Sequence, residues 1–193
     1  MNKTALIVIG GLVALVFWAI GVYNGLVTKD EGVKTAWSNV ETQYQRRMDL
    51  IPNLVNTVKG YAAHEKETFE AVIKARAEAT QIKLDIDDLS EENLAKMQAA
   101  QSTLSGALGR LMAISENYPE LKANEQFREL QAQLEGTENR ITEARRVYNE
   151  TAKEYNTDLR VFPGSLVANI FGMKSHPYFK SDEKASQAPT VQF

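Results

Sequence analysis

The residues best suited to chemistry crowd into one stretch: Arg46, Arg47, Asp49, Asn53, Lys59, His64 and Glu65, set around Pro52. Guanidinium forks grip carboxylates and phosphates. One reading of the cluster is therefore a recognition groove for an anionic ligand, a lipid headgroup or a partner's carboxylate. The other reading is structural. Arg47 and Glu65 fall on or beside an apolar stripe, where a charge is costly unless paired. Asp49 or Glu65 would then answer the arginines in a network that sets helix register. The structural reading takes precedence, because internal ion pairs also place charges in odd positions.

Other chemistries lack their residues. The 193-residue chain has no cysteine, which excludes disulfides, thiolate nucleophiles and cysteine metal sites. Its histidines, His64 and His176, stand far apart, in neither HExxH nor HxxxH spacing. The paired Glu-x-x-His motifs of a carboxylate-bridged metal bundle cannot form from them. Glu67 and Glu70 near His64 are the acids of a solvated helix face. Ser165 follows Gly164 without the Gly-x-Ser-x-Gly of a nucleophile elbow, and a serine there suits a helix start. Trp37, Tyr44, Tyr61, Tyr118, Tyr148 and Tyr155 suggest a stacking box, but their helical spacing assigns them to a bundle core. The net charge of −3 offers no field for nucleic acid. The expectation is a protein without catalytic, cofactor or metal residues.

The elements that would position these residues begin with an anchor. No residue from Thr4 to Thr28 is charged. The run through Ala5, Leu6, Leu12, Leu15, Phe17, Trp18 and Val22 is long enough to cross a bilayer core, which takes about 20 apolar residues. Trp18 and Tyr23 lie toward its end, where amphipathic rings favour the interface. A cleaved signal peptide would be shorter and end in a small-x-small site. The reading is an uncleaved transmembrane anchor over residues 1–28. Lys3 precedes it and Lys29 and Lys34 follow it, a balance that leaves the side of the bundle open.

Helical periodicity follows the anchor. Val33, Trp37, Val40, Tyr44, Arg47, Ile51, Leu54, Val58 and Tyr61 recur at steps of four and three, then less cleanly Phe69, Val72, Ile73 and Ala75. Pro52 predicts a kink, or a break shortly before it. Ser90 caps a second helix carrying Leu94, Met97, Gln101, Leu104, Leu108, Leu111, Ser115 and Tyr118. The third stripe is Phe127, Leu130, Leu134, Thr137, Ile141, Ala144, Tyr148, Thr151, Tyr155, Leu159 and Phe162, stopped by Pro163. The fold expected is all-α: an N-terminal transmembrane helix, then an antiparallel long-helix bundle over 29–172, three long helices plus a short fourth. The fourth would be Ser165–Phe171 or the part of the first helix beyond Pro52. Residues 173–193 read as a tail, ordered at first and frayed later, whose ending Thr190-Val-Gln-Phe193 either docks on a partner, or covers its own bundle or is disordered.

The chain resembles the LemA family at Ala36-Trp-Ser-Asn-Val40, at Gln45-Arg-Arg-Met-Asp-Leu-Ile-Pro-Asn-Leu-Val55 and at Thr57-Val-Lys-Gly-Tyr61. The likeness continues at His64-Glu65, Ala75-Arg76, Glu116–Ala123, Tyr148-Asn149, Tyr155-Asn156, Phe162-Pro163, Tyr178-Phe179 and Pro189–Phe193. It implies a bacterial single-pass membrane protein with an antiparallel helical bundle outside the lipid. The family has no agreed biochemical activity; one branch, of magnetosome proteins, is tied to organising a bacterial membrane. The expected function is a membrane-anchored helical scaffold in the inner membrane. Its expected partners are the lipid bilayer, a second copy or another membrane protein. The alternative is a sensory module taking an anion at Arg46 and Arg47.

Overall fold

The computed structural model describes residues 3–180, the side chain of Ala5 excepted. The expected tail ending, Thr190–Phe193, lies outside them. The described residues form helices α1 (Lys3–Tyr61), α2 (Lys66–Gln81), α3 (Glu91–Ala113), α4 (Pro119–Ala123), α5 (Glu125–Asp158) and α6 (Gly164–Phe171). Short 3-10 turns lie at Ile86–Asp88 and Ile114–Glu116. No strand occurs among the described residues.

The chain divides into two compact units, one of Met1–Thr42 with Thr142–His176, the other of Gln43–Ile141 with Pro177–Phe193. In the second, the apolar stripes close on each other as the spacing requires. Ile51, Leu54 and Val58 of α1, Phe69 and Val72 of α2, Leu104 and Leu111 of α3, Leu121 of α4, and Phe127, Leu130 and Leu134 of α5 form one buried core. Each such side chain contributes roughly 1.5–3 kcal/mol when taken from water. The helix starts are capped locally. Ser90 Oγ accepts from Asn93 N at 3.1 Å, and Asn124 Oδ1 accepts from Phe127 N at 2.8 Å.

Pro52 neither breaks α1 nor ends it: the helix runs on to Tyr61. The reason is visible at the carbonyl the proline deprives. A proline at 52 removes the amide that would bond the Met48 carbonyl. Arg76 Nε on α2 donates to that oxygen at 3.1 Å instead. The break falls later, at Ala62–Glu65, so α1 and α2 are separate helices. The additional element of the bundle is thus α2. Ile73 and Tyr61, placed on the stripe by spacing, are exposed, and Tyr61 Oη instead accepts from Asn124 Nδ2 at 2.9 Å.

In the first unit, Val33, Trp37 and Val40 of α1 are buried with Tyr148, Ala152 and Tyr155 of α5. Trp37 and Tyr148 meet edge to face at 5.6 Å between ring centroids, a favoured aromatic geometry. The backbone at Gly32 passes close to α5: a Cβ there would stand 3.5 Å from Thr151 Cγ2. α5 ends at Asp158 rather than at Pro163, and Phe162 points outward instead of continuing the seam. The chain then folds back into α6, whose Val167 and Ala168 pack on Leu26 with Val22, Tyr23, Leu159 and Met173 around them. Gly164 is obligatory at this turn. A Cβ on it would lie 2.1 Å from the Asp158 carbonyl oxygen. Gly172, at φ +67, closes α6 in the left-handed cap that glycine adopts without strain.

Candidate functional site

The polar cluster around Pro52 is dispersed by the fold. Arg46, Asp49, Asn53, Lys59 and His64 are exposed, and Glu65 is half-buried. Asp49 Oδ1 accepts from Gln45 Nε2 at 2.7 Å, one turn away. Glu65 Oε1 is reached by the Tyr118 hydroxyl at 3.5 Å. Neither carboxylate answers an arginine.

Arg47 alone turns inward, at 2% exposure. Its guanidinium donates to Ser105 Oγ at 2.9 Å and to Glu138 Oε2 at 2.6 Å, and bonds Gln101 Oε1 through its second terminal nitrogen. The Tyr44 ring lies beneath it, 5.6 Å from ring centroid to the guanidinium carbon. The carboxylate that neutralises Arg47 is thus Glu138 on α5, not Asp49 or Glu65. Gln101 stood on the apolar stripe of the second helix, and that misfit was its signal. Glu138 carried none, because a half-exposed glutamate on a long helix looks like any other.

A second buried polar knot lies in the first unit. Asn156 of α5 pairs both ways with the His176 backbone: its Nδ2 donates to the carbonyl at 2.8 Å, and its Oδ1 accepts from the amide at 2.9 Å. His176 Nε2 lies 2.7 Å from Asp30 Oδ1, and its ring sits 5.3 Å from that of Tyr155. Asp30 also faces Lys34 Nζ at 3.3 Å. Burial, with the Asp30 charge adding to it, pushes the Tyr155 hydroxyl up to about 12, against a weaker opposing pull from Lys34. In the other unit Gln98 clamps Lys180 in the same two-way manner, at 2.9 and 3.4 Å, and Phe179 is buried. The segment after α6 is therefore held by side-chain amides although it has no regular structure. Its extended backbone has polar groups to satisfy, and one carboxamide serves a donor and an acceptor together.

A further chemical feature is a surface. Leu6, Leu12, Leu15, Phe17 and Trp18 are exposed, and Val22 is half-buried where α6 begins to cover α1. α1 holds a window long and apolar enough to cross a membrane, and none of that window is buried. Among the described residues no group of three or more His, Asp or Glu side chains is placed to hold a metal ion.

A family model described as the LemA family matches residues 36–193. The chain belongs to the LemA family. Magnetosome proteins MamQ 1 and MamQ 2 of Paramagnetospirillum magneticum are each 30% identical to it over 186 residues, 88% of this chain and 68% of theirs. Magnetosome protein MamQ of Magnetospirillum gryphiswaldense is 29% identical over 93% of this chain and 72% of its own. Protein LemA of Metamycoplasma hominis is 24% identical over 86% and 73%. The LemA match takes in Arg47, Gln101, Glu138, Asn156 and His176 together, and begins beyond the apolar window of α1.

Proposed function

We propose that this LemA-family chain is a non-enzymatic scaffold, held in the cell membrane by a single pass of α1 and presenting its helical faces to a second copy or to another membrane protein. The observation that carries the reading is the uncovered apolar surface of α1, on the same unbroken helix whose later turns line the bundle core. Water tolerates no exposed apolar patch of that extent, and a bilayer requires one. Confinement to a membrane raises the effective concentration of whatever the bundle meets, so weak contacts suffice. Kinship with proteins named for the magnetosome supports a place in an assembly rather than in a reaction. The alternative, an anion site shared by Arg46 and Arg47, finds less support. One side chain faces solvent while the other is spent on Gln101, Ser105 and Glu138.

The test is crosslinking in intact cells, followed by extraction with native lipids and mass measurement. Discrete oligomers or a constant membrane-protein companion are expected. A strictly monomeric species without companions overturns the scaffold reading.

A further inference from the structure

We infer that α6 is a second membrane-seated element: it lies in the lipid interface beside the end of the α1 span, with Leu166, Ile170 and Phe171 among the acyl chains. This rests on the reading of α1 as a span, and adds a contact that α1 alone does not provide.

The composition of α6 is the starting point. From Val161 to Met173 no residue is charged, and Arg160 and Lys174 bracket the run. One face is used internally, by Val167 and Ala168 against Leu26. The other face is uncovered: Leu166 is 52%, Ile170 69% and Phe171 60% exposed, with Phe162 just before the helix at 75%. An uncharged helix apolar on both faces belongs in a protein core or in lipid, and here the described residues cover only one face.

Position decides between the two. α6 packs on the turns Val22–Leu26, the last of the uncharged stretch of α1. Phe162 lies 6.1 Å from Trp18 and Phe171 lies 4.6 Å from Tyr23, both between ring centroids. The exposed apolar residues of α6 therefore adjoin the exposed surface of the span, with the uncharged Asn169 among them. At about 1.5 Å per residue, Val22 to Leu26 lie roughly 5 to 10 Å below the level of Lys29, the depth at which interfacial helices sit. At that level Lys29 pairs with Asp158 at 2.6 Å. Arg160 and Lys174 are exposed, placed to meet anionic headgroups. Continuity with the span and the basic bracket both favour lipid as the occupant over a protein partner.

The cysteine-free chain allows a clean test. Ile170→Cys, Leu12→Cys and Glu154→Cys, each exposed, are labelled one at a time with an environment-sensitive fluorophore in the full chain. Each is reconstituted in phosphatidylcholine–phosphatidylglycerol vesicles carrying quencher lipids at graded depths. Leu12 should be quenched most by deep quenchers, Ile170 most by shallow ones, and Glu154 by neither. If Leu12 is quenched while Ile170 behaves like Glu154, α6 stands in water and the inference falls with the span intact. If Leu12 escapes quenching, the span reading falls and takes the inference with it. A blue-shifted but unquenched label at Ile170 means a protein covers the helix, which also overturns lipid as its occupant.

Discussion

The two units solve the same problem in opposite ways. The unit built on Gln43–Ile141 gathers its apolar side chains inside, from Ile51 to Leu134, and buries one charge, Arg47, at the cost of three partners. The unit built on Met1–Thr42 and Thr142–His176 divides its apolar residues into two populations. Val33, Trp37, Tyr148 and Tyr155 turn inward, while the early turns of α1 and the outer face of α6 stay uncovered. The first arrangement hides its apolar surface; the second leaves part of it uncovered among the described residues. Polar networks are used accordingly. Arg47 ties α1 to α3 and α5, whereas Asn156, Asp30 and His176 hold a segment of irregular backbone against helices.

The largest effect is expected at Arg47. Arg47→Ala should cost about 3 kcal/mol or more by urea unfolding of the full chain in detergent, since it removes a buried side chain and orphans Gln101 and Ser105. Arg46→Ala, on the exposed side, should cost less than about 0.5 kcal/mol. Equal losses would refute the buried-knot account. In the other unit, Asn156→Ala removes two bonds worth about 1 kcal/mol each, so a loss of about 2 kcal/mol is expected. Amide exchange should quicken at His176 and leave Leu104 and Leu111 protected; uniform quickening would mean that the clamp is not local. A smaller effect concerns Pro52. Arg76→Ala should cost about 1 kcal/mol, and less in a Pro52→Ala background, where an amide returns to the Met48 carbonyl. Strict additivity in that cycle would sink the compensation. The smallest effect is at alkaline pH. Tyr155 has its folded value raised from 10.0 to about 12. The protonated phenol therefore contributes stability in full below pH 10.0, and that contribution fades as pH climbs through about 12. Unfolding midpoints followed over that window should fall more steeply for the parent than for Tyr155→Phe.

Much of this was legible from spacing. Val33 to Val58, Leu94 to Leu111 and Phe127 to Tyr155 declared their burial because a helix repeats every 3.6 residues and one face must leave water. The uncovered apolar stretch of α1 was legible for a simpler reason, the absence of charge from Thr4 to Thr28. What escaped depends on contacts between distant residues. Nothing near Arg47 announces Glu138, because the pairing is made by helix packing and not by sequence neighbourhood. The end of α1 at Tyr61 was hidden because Ala62-Ala-His-Glu65 contains no helix breaker, while Pro52, which does break helices, is compensated by Arg76 from another element. Phe162 misled in the opposite direction. It keeps the seven-residue rhythm of α5, yet the helix has already ended at Asp158.

The unbroken course of α1 also sets a mechanical condition. A residue inserted between Leu26 and Val33 rotates everything after it by about 100° relative to everything before. The α6 side of the helix and the seam that faces Tyr148 would then point in different directions. The stretch between these two contact points therefore has a phase as well as a length. Inserting one or two residues there changes both, and should loosen one of the two contacts.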